Sequence, residues 1–84
     1  MSKEILYFSS SWCQPCKQLA PVMERLKSEG KINYKKIDVD TDTVLSPKYG
    51  VRNIPTLILL NNGNEVNRLV GAQPVQSILN FYNG

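Results

Sequence analysis

The sequence predicts an α/β fold with element order βαβαββα, a four-stranded mixed sheet flanked by helices. Three observations predict it. An apolar run, Ile5 to Phe8, is followed by an amphipathic helical pattern and then a second strand pattern; an Asn62-Gly63 pair separates two further strand patterns; and a helical pattern closes the chain. A strand, a helix of about fifteen residues and another strand make a right-handed βαβ unit with parallel strands. Asn-Gly between two strand patterns is a strong hairpin signal, so the last two strands are expected to be antiparallel neighbours.

Ile5-Leu6-Tyr7-Phe8 is apolar without interruption and ends at Ser9-Ser10-Ser11, as expected of a central strand covered on both faces. Pro15 then sits near the first helical position, where its missing N–H costs nothing. Leu19, Val22, Met23 and Leu26 follow at helical spacing, with Gly30 as the stop. Pro21 removes one backbone bond and predicts a kink, not a break. Ile32 to Ile37 reads as a second strand, with Ile32, Tyr34 and Lys36 on one side and Asn33, Lys35 and Ile37 on the other.

Asp38, Asp40 and Asp42 stand at alternate positions, as in the opening of an EF-hand. That loop wants Gly at its sixth position and Glu at its twelfth, where this chain has Thr43 and Tyr49. The acids are therefore read as a strand end and a helix start, with Asp42 or Thr41 as cap. Val44, Leu45 and Tyr49 are expected to face a short helix inward. Thr56 to Leu60 and Glu65 to Val70 are the hairpin strands, and Pro74 opens a helix packed through Val75, Ile78, Leu79 and Tyr82.

Eighty-four residues are expected to form one domain, residues 1–84. A hydrophobic fraction of 42% with 20% charged residues sets disordered and fibrous classes aside. The net charge of +3 comes from scattered lysines and arginines, of which only Lys35 and Lys36 are adjacent. With no basic stripe or stacking platform, no nucleic-acid partner is expected. The apolar runs fall far short of a membrane span, and Met1-Ser2-Lys3-Glu4 leads into no signal-peptide pattern. A cytoplasmic protein with no membrane partner is the expectation.

Chemistry concentrates in Trp12-Cys13-Gln14-Pro15-Cys16, which holds the only two cysteines. On the first turn of a helix, thiols at this spacing can close a disulfide, and the helix N-terminus favours a thiolate on Cys13. A structural staple is a weaker reading, because so short a loop gives only about 2 kcal/mol on the chain-entropy model. A structural zinc wants four ligands, usually Cys or His, and the chain has two Cys and no His. A site bridging two chains, or carboxylates completing the shell, would be needed. Two inert buried thiols fit poorly with the exposed turn that Trp12 and Pro15 mark. Reversible redox chemistry is the reading these residues favour.

From about Ile5 to its C-terminus the chain resembles the thioredoxin family. The resemblance is carried by Trp12-Cys13-Gln14-Pro15-Cys16-Lys17, Ala20-Pro21, Pro47-Lys48-Tyr49-Gly50-Val51-Arg52, Ile54-Pro55-Thr56, Asn62-Gly63 and Val70-Gly71-Ala72. It implies a minimal thioredoxin fold, a cis Ile54-Pro55 bond, and an enzyme that reduces protein disulfides. In that reading Cys13 attacks, Cys16 resolves, and Trp12, Gln14, Pro15, Ile54, Pro55, Gly71 and Ala72 form the substrate groove. The resemblance further implies no cofactor beyond the Cys13–Cys16 disulfide, disulfide-containing protein substrates, a thioredoxin reductase or equivalent electron donor, and a monomer. A glutaredoxin-like reductase, whose usual Cys-Pro-Tyr-Cys differs from this motif, and a binding module with incidental redox activity are the rival readings.

Three departures from the family pattern matter. Gln14 stands where thioredoxins usually have Gly, which should alter partner fit more than thiolate stability; with no His between the cysteines, a reductant is expected. Tyr7 stands where the family has a buried aspartate proposed to handle the resolving thiol's proton, and Lys36 matches the lysine that accompanies it. With a pKa of about 10, Tyr7 cannot act as base near neutrality. Water or the partner's leaving thiolate would have to serve, with slower resolution. Finally, the strand and helix that normally precede Ile5 to Phe8 are not seen, so the chain reads as a short thioredoxin of phage or archaeal type.

Overall fold

The computed structural model describes residues 2–84. The elements are β1 (Lys3–Ser9), α1 (Gln14–Ser28), β2 (Tyr34–Asp38), α2 (Leu45–Lys48), β3 (Thr56–Asn61), β4 (Asn64–Val70) and α3 (Val75–Asn83). They follow the expected βαβαββα order. The strands form one mixed sheet in the order β2-β1-β3-β4. β1 runs parallel to β2 and antiparallel to β3, and β4 returns antiparallel beside β3. The sheet has four strands and is accompanied by three helices, as the sequence predicts.

Side chains alternate across a strand, and here both sides of the centre are apolar. Ile5, Tyr7, Leu57 and Leu59 join Leu19, Met23 and Leu26 of α1 and Ile78 and Phe81 of α3 in one core. Leu6, Phe8 and Ile58 face the opposite way with Ile37, and Leu45, Tyr49, Val51 and Ile54 pack on them. Burying both faces of β1 explains its unbroken apolar run.

α1 begins where Cys13 leaves extended backbone, at φ −86° and ψ 114°, and it runs through Pro21 without a break. Pro21 is on the exposed side, where water can satisfy the carbonyl that loses its helical partner. Gly30, at φ 72°, ends the helix: its N–H reaches the Lys27 carbonyl and that of Lys31 reaches the Leu26 carbonyl. That pair of bonds is a Schellman cap, and its left-handed residue favours glycine. The β3–β4 turn has φ 55° at Asn62 and 87° at Gly63, the double left-handed turn that suits strand twist.

Four local expectations are corrected. β2 starts at Tyr34, two residues after Ile32. At α2 the cap position belongs to Val44, which has no side-chain acceptor; Asp42 caps from two residues upstream, its Oδ1 accepting the N–H groups of Val44 and Leu45. Those two bonds, Leu45 foremost, hold the Asp42 carboxyl below its ordinary pKa. Val44 itself is 67% exposed, so only Leu45 and Tyr49 face inward as expected. In α3, Pro74 precedes the helix as its cap residue, Phe81 is buried, and Val75 is 43% exposed.

Candidate active site

The parallel β1–α1–β2 unit brings Cys13 to the carboxyl end of β1, where open α/β sheets present their ligands. Cys13 is the N-cap residue of α1, and its Sγ accepts the Cys16 N–H at 3.2 Å. The two cysteines are joined in a disulfide, with Cα atoms 5.2 Å apart. Both are buried. The N-cap position supplies what a reactive thiol needs: a backbone N–H aimed at sulfur and the positive end of the helix dipole.

The Ile54-Pro55 bond is cis, and the Ile54 carbonyl oxygen lies 3.7 Å from Cys13 Sγ. Gly71 donates its N–H to the Pro55 carbonyl at 2.8 Å. Its φ of 92° explains why glycine stands there. Pro55 is buried and Ile54 half-buried, while Trp12, Gln14, Pro15 and Ala72 are exposed. Cys13, Ile54, Pro55 and Gly71 are thus linked through contacts, and Trp12, Gln14 and Pro15 flank the cysteines along the chain. Ala72 only follows Gly71 in sequence.

Trp12 is 67% exposed, yet it is held at two points. Its indole Nε1 donates to Asp40 Oδ1 at 3.2 Å, and its backbone N–H donates to Ser10 Oγ at 3.3 Å. Ser10 in turn donates to Asp40 Oδ2 at 2.8 Å. No local signal marks Ser10 and Asp40 as partners of Trp12, since Asp40 stands in an acidic run that reads as a strand end and helix start.

Tyr7 lies behind the cysteines, its hydroxyl donating to the Cys16 carbonyl at 3.2 Å. Burial pushes its pKa above the usual tyrosine value, so it stays protonated near neutrality. Lys36 is its partner across the β1–β2 register, with Nζ 5.9 Å from the Tyr7 ring centroid. Among the described residues no group of three or more His, Cys, Asp and Glu could hold a metal ion, and no helix is long and apolar enough to cross a membrane.

A disulfide closed over the first turn of a helix, beside a proline loop at the carboxyl end of β1, defines a thiol-disulfide oxidoreductase. The family model described as "Thioredoxin" matches residues 2–83. Thioredoxin of Haemophilus influenzae is 43% identical over 81 residues, covering 94% of this chain and 76% of the relative. Thioredoxin of Staphylococcus aureus is 42% identical over 77 residues, covering 89% and 74%. A solved thioredoxin variant from Halobacterium salinarum superposes with a TM-score of 0.89 at 36% identity, covering 96% of this chain and 72% of its own. Fasciola hepatica thioredoxin gives 0.85 at 29% identity, covering 96% and 79%. The chain belongs to the thioredoxin family, and like its members it reduces protein disulfides.

Proposed function

We propose that Cys13 is the attacking thiol, Cys16 the resolving thiol, and Trp12, Gln14, Pro15, Ile54, Pro55, Gly71 and Ala72 the groove that seats the partner. One observation carries this reading: Cys13, not Cys16, is the residue whose sulfur caps the helix and accepts a backbone N–H. Hydrogen bonding to sulfur and the helix dipole both favour the Cys13 thiolate. That thiolate attacks a partner's disulfide and displaces one partner sulfur, forming a mixed disulfide. The Cys16 thiolate then attacks Cys13 Sγ, and the second partner sulfur leaves as thiolate. The partner gains two electrons and this chain's dithiol loses them. An electron donor of the thioredoxin reductase kind restores the dithiol. One domain, working as a cytoplasmic monomer, completes the proposal.

Insulin-disulfide reduction tests it. Cys13→Ser should abolish both turnover and covalent capture, whereas Cys16→Ser should trap a mixed disulfide through Cys13. Capture through Cys16 in the Cys13→Ser protein would reverse the roles. Retained function in Cys13→Ser would favour a binding module.

A further inference from the structure

Arg68, on β4, makes three hydrogen bonds away from the cysteines. Its Nε donates to Glu65 Oε2 at 2.9 Å, and its Nη2 donates to Glu65 Oε1 at 3.0 Å and to the Tyr49 carbonyl at 2.8 Å. Arg68 pairs with Ile58 across the β3–β4 ladder, so its side chain lies on the face that α2 covers through Leu45 and Tyr49. Tyr49 is the C-terminal cap residue of α2, and carbonyls at a helix end lack intrahelical partners. A guanidinium satisfies such a carbonyl, while the two-point grip of Glu65 fixes the plane from which it donates.

Tyr49 opens the segment 49–55, in which the Ile54 carbonyl faces Cys13 Sγ. Two bonds tie this segment to β4 and its continuation. Arg68 holds the Tyr49 carbonyl at one end, and the Gly71 N–H holds the Pro55 carbonyl, at 2.8 Å, at the other. Between them, the Val51 N–H bonds back to the Ser46 carbonyl of α2. Tyr49, Val51 and Ile54 also pack on the cluster that contains Phe8 and Ile58, but apolar packing is non-directional and leaves the backbone free to slide along the face. The Arg68 and Glu65 side chains are 33% and 34% exposed, so their ion pair adds little stability. Its consequence is placement.

We infer that Arg68 is a positioning residue for partner recognition: gripped by Glu65, it pins the Tyr49 carbonyl and with it the segment that carries Ile54 and Pro55, so that both stand where a protein disulfide presented to Cys13 meets them. The inference rests on the groove proposed above. The bonds of Arg68 go to Glu65 and Tyr49 and none goes to a cysteine, so the exchange chemistry itself does not involve it. A partner that lies along Ile54 and Pro55 gains from the pinned segment. A small disulfide that reaches Cys13 without lying along them does not.

The test measures second-order rate constants of the reduced protein with insulin and with hydroxyethyl disulfide, a small disulfide. Arg68→Met should slow insulin reduction about three- to tenfold, the effect of one lost hydrogen bond, and leave the small disulfide within about twofold, with urea melts reporting the fold. Arg68→Lys keeps the charge but not the planar fork, and should recover part of the loss. Glu65→Gln loosens the grip and leaves the Tyr49 bond, so it should show the same pattern more weakly. An unchanged insulin rate in those of the three variants that fold, or equal slowing with both disulfides, would overturn the role of Arg68 alone. A parent protein with no rate advantage for insulin over the small disulfide would overturn the groove, and this inference with it.

Discussion

Tyr7→Phe isolates one atom of the site. The ring keeps its place: it is 1% exposed, meets Tyr34 edge-on with centroids 5.8 Å apart, and packs among the α1 core residues. Only the hydroxyl goes, and with it the 3.2 Å bond to the Cys16 carbonyl. A buried neutral hydrogen bond contributes about 1 kcal/mol net. For a chain of this size that loss lowers Tm by roughly 4–8 °C. Urea and thermal melts of the oxidised protein measure it. The same variant should resolve mixed disulfides within about twofold of the parent rate at neutral pH, since a phenol with a pKa of about 10 or higher does not accept the proton. Unchanged stability would show that the bond carries no weight. A slowing of more than about tenfold in a normally stable variant would show that the hydroxyl handles the Cys16 proton, and would refute the reasoning.

Alkaline stability should fall for a defined reason. Burial raises the folded-state pKa of Tyr7 and Tyr34 above the ordinary 10.0, so their contribution is complete below about pH 10 and is lost as pH climbs through the raised values; urea midpoints from pH 8 to 11 should decline, and less steeply in Tyr7→Phe. Asp40→Ala should free the indole of Trp12, the chain's only tryptophan, giving faster fluorescence depolarisation with a stability loss of about 1 kcal/mol or less. Phe81→Ala should cost about 3–5 kcal/mol in urea melts, whereas Val75→Ser should stay within about 0.5 kcal/mol. The reverse order would contradict the buried face assigned to α3.

Much of the fold was legible because the signals are local. An unbroken apolar β1, the Gly30 stop and the Asn62-Gly63 turn each follow from the chemistry of neighbouring residues, and the structure forms each of them. The position of Cys13 at a helix start was legible for the same reason. The cis Ile54-Pro55 bond was expected only from family resemblance. What stayed hidden depends on docking between distant segments. Val75, Ile78, Leu79 and Tyr82 share helical spacing, but which arc of α3 is buried depends on how the helix lies on the sheet, and Phe81 takes the place Val75 was expected to fill. Val44 is exposed because α2 is a single turn and covers the sheet only through Leu45 and the following Tyr49. The clasp of Ser10 and Asp40 on Trp12 arises from the β1–β2 pairing, and no local pattern encodes that register.

The central claim is that Cys13 and Cys16 form a reducing dithiol. Equilibration of the pair in thiol redox buffers, with insulin reduction followed on the same preparation, tests it most directly. The expected potential is about −270 mV, the value typical of thioredoxins, together with measurable turnover. A potential above about −200 mV, nearer that of protein disulfide isomerase, would contradict the reductant assignment and point to an oxidising or isomerising role.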